Sequence, residues 1–212
     1  MLRGIFEFVL LNSSVGTWLV VMDIFLQIWA ASFYLCNKAL FAIAESRDEV
    51  RKRQLKIVGW AIYILGVPPW VVIMVAKNNW IAAAIEAGGI PAMLLGLFNV
   101  AKGRPSENKW LNRSVEIFTY TMIVLGAGYS WLEHGGLGQL SQWLEVGVMV
   151  GFLMGGYYMA RGNANGWLFF ALMNLSMGSL TLLQDKYVLA IQQSVSLCFV
   201  IYGFISAKRA RG

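Results

Sequence analysis

Apolar residues along this chain fall into long blocks, with little of the two-residue alternation that a half-buried strand would show. Seven runs, 15–44, 57–76, 80–101, 114–132, 139–160, 166–184 and 187–207, are mostly apolar and are separated by short polar, basic or glycine-containing stretches. Each has at least about the 20 residues that a helix needs to cross the hydrocarbon layer, the first run being longer. Backbone groups in lipid are satisfied only within helices or closed barrels. The pattern therefore predicts an all-α, polytopic membrane protein with seven transmembrane helices. They use nearly the whole chain, so the function is expected inside the bundle and not in an appended soluble domain. The opening "MLRGIFEFVLL" is expected to be an interfacial lead-in to the first helix, because Glu7 interrupts its apolar run and no small-residue cleavage site follows.

Composition agrees with this layout. Hydrophobic residues make up 58% of the 212 and charged residues 13%, and the mean hydropathy is +0.60. The net charge of +6 does not point to nucleic acid, because the basic residues are sorted by loop. Arg47, Arg51, Lys52, Arg53, Lys56, Lys102, Arg104, Lys109, Arg113, Arg161, Lys208, Arg209 and Arg211 fall on one side. Arg3, Lys77 and Lys186 fall on the other, and Lys38 lies within the first helix. Basic loops stay cytoplasmic, which predicts a multi-pass protein of the plasma (inner) membrane with its N-terminus outside and its C-terminus in the cytoplasm. Cys36 and Cys198 fall inside predicted helices and are expected to be small packing residues, neither disulfide-bonded nor metal-bound.

A constant offset of 107 residues superimposes 59–103 on 166–210, pairing Gly59 with Gly166, Trp60 with Trp167, Leu65 with Leu172, Ala83 with Ala190 and Gly96 with Gly203. The first helices of the two units align at an offset of 125, through "TWLVV" and "QWLEV". The difference is an 18-residue extension holding the basic segment "RDEVRKRQLK", expected as a loop. The plan is two parallel three-helix repeats, 15–103 and 139–210, joined by a linker helix at 114–132, with substrate expected between the halves.

Polar residues within the apolar runs are the candidates for function. Asn174 lies seven residues past Trp167, about 10 Å into the core. Gln192 and Gln193 approach the same depth from the other face, and Gln193 is the repeat equivalent of Glu86. A carboxylate within the bilayer is costly enough to be a functional candidate by default, whereas amides also serve to bond helices together. Asp23, Gln27 and Glu145 are candidates for an outer gate or a supporting role. Glu116, three residues after Arg113, is expected to form a local ion pair. Trp60 with Trp80, and Trp167 with Tyr187, bracket helices at a spacing of about 30 Å. All four are read first as interfacial belt residues, with substrate contact the alternative for Trp60 and Trp167. Gly147, Gly151 and Gly155 give two overlapping GxxxG spacings, a pattern for close helix packing. Pro68, Pro69 and Pro91 predict a more bent first unit. No cofactor and no metal site are expected, and the one histidine, His134, lies in an outer loop.

The second unit, "QWLEVGVMVGFLMGGYYMARGNANGWLFFALMNLSMGSLTLLQDKYVLAIQQSVSLCFVIYGFISAKR", resembles the last three helices of PnuC-type vitamin transporters. The shared features are a short polar loop, a Trp opening the next helix, an Asn at its middle, and a final helix ending in an aromatic-Gly pair, here Tyr202 and Gly203. The layout of three, one and three helices also resembles the SWEET sugar transporters. The resemblance implies uptake of nicotinamide riboside, or of thiamine or another vitamin, by facilitated diffusion down a gradient maintained by intracellular phosphorylation. It implies Trp167, Asn174 and Gln193 as substrate contacts. Such solutes are cationic aromatics, suited to aromatic faces and to a carboxylate such as Glu86. The expected partners are thus a small-molecule substrate and the lipid bilayer, with a homo-oligomer left open. The alternatives are a proton-coupled transporter of another small solute such as thiamine, with Glu86 as the proton carrier, or a non-transporting membrane sensor or assembly protein.

Overall fold

A computed structural model describes residues 2–76, 80–103, 108–134, 138–183 and 187–209. Among these the regular structure is entirely helical: α1 (Leu2–Ala44), α2 (Glu49–Ala76), α3 (Trp80–Gly88), α4 (Ile90–Lys102), α5 (Lys109–His134), α6 (Leu140–Ala160), α7 (Gly166–Leu183) and α8 (Tyr187–Arg209). Six stretches are long and apolar enough to cross a membrane: Ile24–Ala44, Glu49–Ile73, Ala83–Lys102, Leu140–Ala160, Gly166–Leu183 and Ala190–Arg209. The chain is a polytopic membrane protein. The seventh expected crossing, 114–132, lies within α5, which has the length of a span at 26 residues but is not among the six. Its Thr, Tyr, Ser and Gly content dilutes the apolar run.

The helix boundaries follow from local chemistry. α2 begins two turns earlier than the apolar pattern suggests, so most of the basic segment expected as a loop is helical. Asp48 Oδ1 accepts from the Arg51 N–H at 3.1 Å, capping the first turn. The same turns place Lys52 and Lys56 one helical repeat apart, and their amines hold the buried Glu45 carboxylate at 3.2 and 2.8 Å. Proline's missing N–H interrupts the third crossing: α3 and α4 separate at Gly89, just before Pro91, whereas α8 runs unbroken. Gly103 and Gly162, with φ of 71° and 69°, end α4 and α6 in the left-handed conformation that glycine adopts without strain.

Arg53 reaches from α2 to the end of α4, donating to Val100 O at 3.1 Å and to Ala101 O. It thereby adds a second donor to Val100 O, which also accepts from the Gly103 N–H, and a donor to Ala101 O in the last turn, where a helix runs out of its own N–H groups. Replacing it, as Arg53→Met, is expected to lower stability by about 1 kcal/mol, the net value of such bonds. Denaturation in detergent measures this, and an unchanged midpoint would mean that water serves those carbonyls equally well.

α1 packs on α2 and α8, α2 on α4, α4 on α6, α6 on α7 and α7 on α8, so the contacts close into a ring. α3 enters this ring beside α2, and α5 lies against α3, α4 and α6. The outward face of α5 is apolar and exposed, including Val124 and Leu125, as suits a lipid-facing surface. The buried core lies where the ring helices converge, with Phe41 from α1, Trp60, Tyr63 and Val67 from α2, Met93 from α4, Phe152 and Leu153 from α6, Trp167 and Phe170 from α7 and Val200 from α8.

The glycine spacing on α6 works as expected. A Cβ at Gly151 would stand 2.6 Å from both Met173 N and Phe169 O, backbone atoms of α7. One at Gly155 would meet the Phe170 ring, and one at Gly147 the Ser176 side chain. The cysteines differ from expectation: both are free and exposed on the bundle surface, so neither packs in the core.

Candidate functional site

The aromatic residues of α2 and α7 meet at the centre of the ring. Trp60 stacks near Tyr63 at 6.1 Å between ring centroids, Tyr63 meets Phe170 edge-on at 6.3 Å, and Phe170 meets Trp167 edge-on at 6.4 Å. Phe41, Tyr34 and Phe152 extend the cluster from α1 and α6 at 4.9, 5.1 and 6.1 Å. Trp60 and Trp167 are 1% and 0% exposed, which corrects their reading as belt residues. A belt residue needs a wet end, and these two face glycines instead. A Cβ at Gly96 would collide with the Trp60 ring, and one at Gly203 would lie 2.6 Å from the Trp167 ring. Small residues on α4 and α8 thus make room for large rings, which have turned inward. Tyr187 is exposed as a belt residue would be, and the Trp80 side chain lies outside the described residues.

Two polar side chains stand against Phe170. Lys38, from α1, is 2% exposed, and its Nζ lies 3.1 Å from the Phe170 ring centroid and 5.1 Å from that of Tyr63. Asn174, one turn along α7, is 2% exposed and donates through Nδ2 to Phe170 O at 2.9 Å. Among the described residues neither Lys38 Nζ nor Asn174 Oδ1 has a hydrogen-bond partner, and the same holds for the Trp167 indole nitrogen. Asn37, beside Lys38 on α1, donates to Gly59 O at 3.0 Å and leaves its Oδ1 without a partner. Buried polar groups are paired in the great majority of cases, so a cluster of exceptions calls for an explanation. Two donors, Lys38 Nζ and the Trp167 N–H, and two acceptors, Asn174 Oδ1 and Asn37 Oδ1, form an arrangement that a small polar aromatic solute would complete.

The structure separates the other sequence candidates from this cluster. Glu86 is half-buried on α3, with a buried Oε1 lacking a partner among the described residues, and α3 does not pack on α1 or α7. Gln192 donates to Ala31 O at 3.5 Å, a contact that ties α8 to α1. Gln193 is half-buried, its Cβ facing Gly178 of α7. Gln27 and Glu145 are exposed on the outside of the bundle, and the Asp23 side chain lies outside the described residues. Glu116 pairs with Arg113 at 3.6 Å, as expected. A shallow groove of about 440 Å³ runs along the outer face of α5 from Arg113 to Leu125 and takes no part in the central cluster. Among the described residues no His, Cys, Asp or Glu group is assembled to hold a metal.

Lys38 is the central residue that sequence reasoning passed over. The signal was present: the rule that singles out Glu86 applies equally to a lone lysine within a span.

Residues 50–209, well over half of the chain, match the family model described as nicotinamide mononucleotide transporter. No curated protein and no solved structure matches.

Proposed function

Since the chain belongs to the nicotinamide mononucleotide transporter family, a family of transporters and not of enzymes, we propose that it carries a nicotinamide-type vitamin solute, in its simplest form nicotinamide riboside. It does so by facilitated diffusion with alternating access. The observation that carries this reading is the central cluster, where among the described residues Asn174 Oδ1 and the Trp167 indole N–H have no partners beside Phe170. An aromatic ring stacking there would bring a carboxamide or hydroxyl edge able to donate to Asn174 and accept from Trp167.

Alternating access is proposed from two units, 15–103 and 139–210, moving about the cluster, with the linker 114–132 crossing within α5. What supports the two-unit reading is that Trp60 seats on Gly96 as Trp167 seats on Gly203, and that Tyr63 and Phe170, which meet at the centre, have the same 107-residue separation. The basic residues support the orientation with the N-terminus outside, in the plasma (inner) membrane.

Uptake of radiolabelled nicotinamide riboside into proteoliposomes tests the reading. The wild type should give saturable flux. Asn174→Ala should raise the half-saturation concentration by roughly tenfold, the range expected for one buried hydrogen bond to a ligand, while remaining folded. Flux insensitive to Asn174→Ala would remove that residue from the site.

The second reading, coupling to protons, is favoured by the unpartnered Glu86 oxygen on α3. It requires uptake to follow an imposed pH gradient and Glu86→Gln to abolish that response. Uptake indifferent to the gradient sinks it.

A further inference from the structure

The two proposed units meet along two seams of the ring, α1 against α8 and α4 against α6. Both seams are tied at the basic end of the bundle, the cytoplasmic end in the orientation proposed above. On α4, three residues beyond the Gly96 on which Trp60 seats, Asn99 is 6% exposed and donates through Nδ2 to Ala160 O of α6 at 2.8 Å. Ala160 is the last residue of α6 and the chain turns at Gly162, so this carbonyl lies beyond the N–H groups of its own helix. An amide from the other unit supplies the donor. On the second seam, the Tyr202 hydroxyl of α8 meets the Ser46 side chain just past the end of α1. The tie toward the opposite end of that seam is looser: Gln192 donates to Ala31 O at 3.5 Å, beyond the usual length of such a bond. Arg53 acts differently from Asn99, because its bonds to Val100 O and Ala101 O hold the end of α4 to α2 within one unit. Parting of the units therefore breaks the Asn99 bond and leaves those of Arg53 in place.

We infer that Asn99 is a positioning residue of the transport cycle: its bond to Ala160 O latches the two units on the cytoplasmic side of the central cluster and breaks when the cluster opens to the cytoplasm. The inference rests on the two-unit transport reading above and adds the contact that keeps this side closed. While the units are together, the bond satisfies a helix-end carbonyl that is otherwise cut off from water. Once they part, water takes the place of the amide, so the net value of the bond is modest and the latch is reversible. Deleting the donor leaves Ala160 O unpaired in the closed arrangement alone. The balance then moves toward the form open to the cytoplasm.

The test reads accessibility from each face of the membrane, in full-length protein whose two exposed thiols are removed as Cys36→Ala and Cys198→Ala. The reporter is Ala92→Cys. Ala92 is 3% exposed in the α4–α6 seam, facing Gly156, and lies seven residues, about 10 Å, deeper than Asn99. A membrane-impermeant methanethiosulfonate is added to right-side-out and to inside-out vesicles, and flux of nicotinamide riboside is measured on the parent without the reporter. Asn99→Leu keeps a similar volume without the donor, and it should speed labelling from the cytoplasmic face by roughly fivefold, the shift in population that one buried hydrogen bond supports. Labelling from the outer face should be no faster. Asn99→Ala carries the same expectation should the leucine variant fail to fold. Gln192→Leu, on the looser end of the other seam, should not speed cytoplasmic labelling. Unchanged cytoplasmic labelling without the Asn99 donor overturns the inference, and so does equal acceleration from both faces, the mark of a generally loosened bundle. Absence of flux from the parent removes the transport reading together with this inference. Flux from the parent with labelling indifferent to Asn99 removes this inference alone.

Discussion

Replacing Gly151 with leucine is expected to lower stability by roughly 3 kcal/mol or more, the upper range for overpacking a close contact. The reason is that the neighbours of a side chain at this position are backbone. A Cβ would stand 2.6 Å from Met173 N and Phe169 O and 2.8 Å from Met173 Cα. A flexible side chain could swing aside, but α7 can yield only by moving away from α6 as a whole. In lipid, helix association depends on such van der Waals contact, because the surrounding chains are as apolar as the helices. Moving α7 outward would also carry Trp167, Phe170 and Asn174 out of register with α1 and α2. The variant should therefore lose both its denaturation midpoint in detergent and its solute flux. By contrast, a Cβ at Gly128 or Gly162 meets nothing within 4 Å. Gly128→Ala, in α5, is the matched control and should retain both. A Gly151→Leu protein with the wild-type midpoint would contradict the close packing of α6 on α7.

Removing the ring of Trp167 is expected to have the second large effect, and its two components can be separated. Trp167→Ala empties a fully buried site bounded by Gly203 and Phe170. Lipid-solvated reference states remove the transfer component, so the cost arises from lost contacts around the cavity, on the order of 3 kcal/mol. Trp167→Phe keeps most of the volume while deleting the unpartnered indole N–H. It should cost much less stability but weaken solute binding by roughly tenfold, the contribution of one hydrogen bond in a desolvated site. Thermal denaturation gives the first quantity and the half-saturation concentration the second. Equal flux from Trp167→Phe and the wild type would leave this indole a packing residue.

Each of the six spans overlaps one apolar run of the sequence, because membrane length imposes one rule on all of them, although the first two spans start eight or nine residues away from their runs and 114–132 is not among the six. What they misplaced has local causes. The start of α2 depends on Asp48 as a cap and on Glu45 gathering two lysines, interactions that apolarity does not register. The break at Gly89 was signalled by Pro91, whereas α2 continues through Pro68 and Pro69 as a single helix.

Legibility of the site was more uneven. Asn174 was recognisable as an amide set deep in an apolar run, and it is buried at the centre. Trp60 and Trp167 were misread because their distance from the helix ends matches a membrane interface as well as it matches the core. Only the direction of the side chain separates the two readings, and that depends on Gly96 and Gly203, far away in sequence. Lys38 was placed within the first helix but not weighed as a site residue, since a single charge in a long helix says nothing about which face it occupies. Glu86 and Gln193, paired by the repeat, both fall outside the contacts of the central cluster among the described residues. Equivalence in sequence therefore carries less weight here than convergence of the rings.

Counterflow reads alternating exposure of the central cluster without any driving gradient. Proteoliposomes loaded with unlabelled nicotinamide riboside or mononucleotide, with no ion or pH gradient, are diluted into a trace of the labelled solute. The account predicts a transient accumulation of label above the external concentration that is lost in Asn174→Ala, because a carrier returning with unlabelled solute must expose one central site to each side in turn. Absence of accumulation from folded wild-type protein, with either solute, would contradict transport through this cluster.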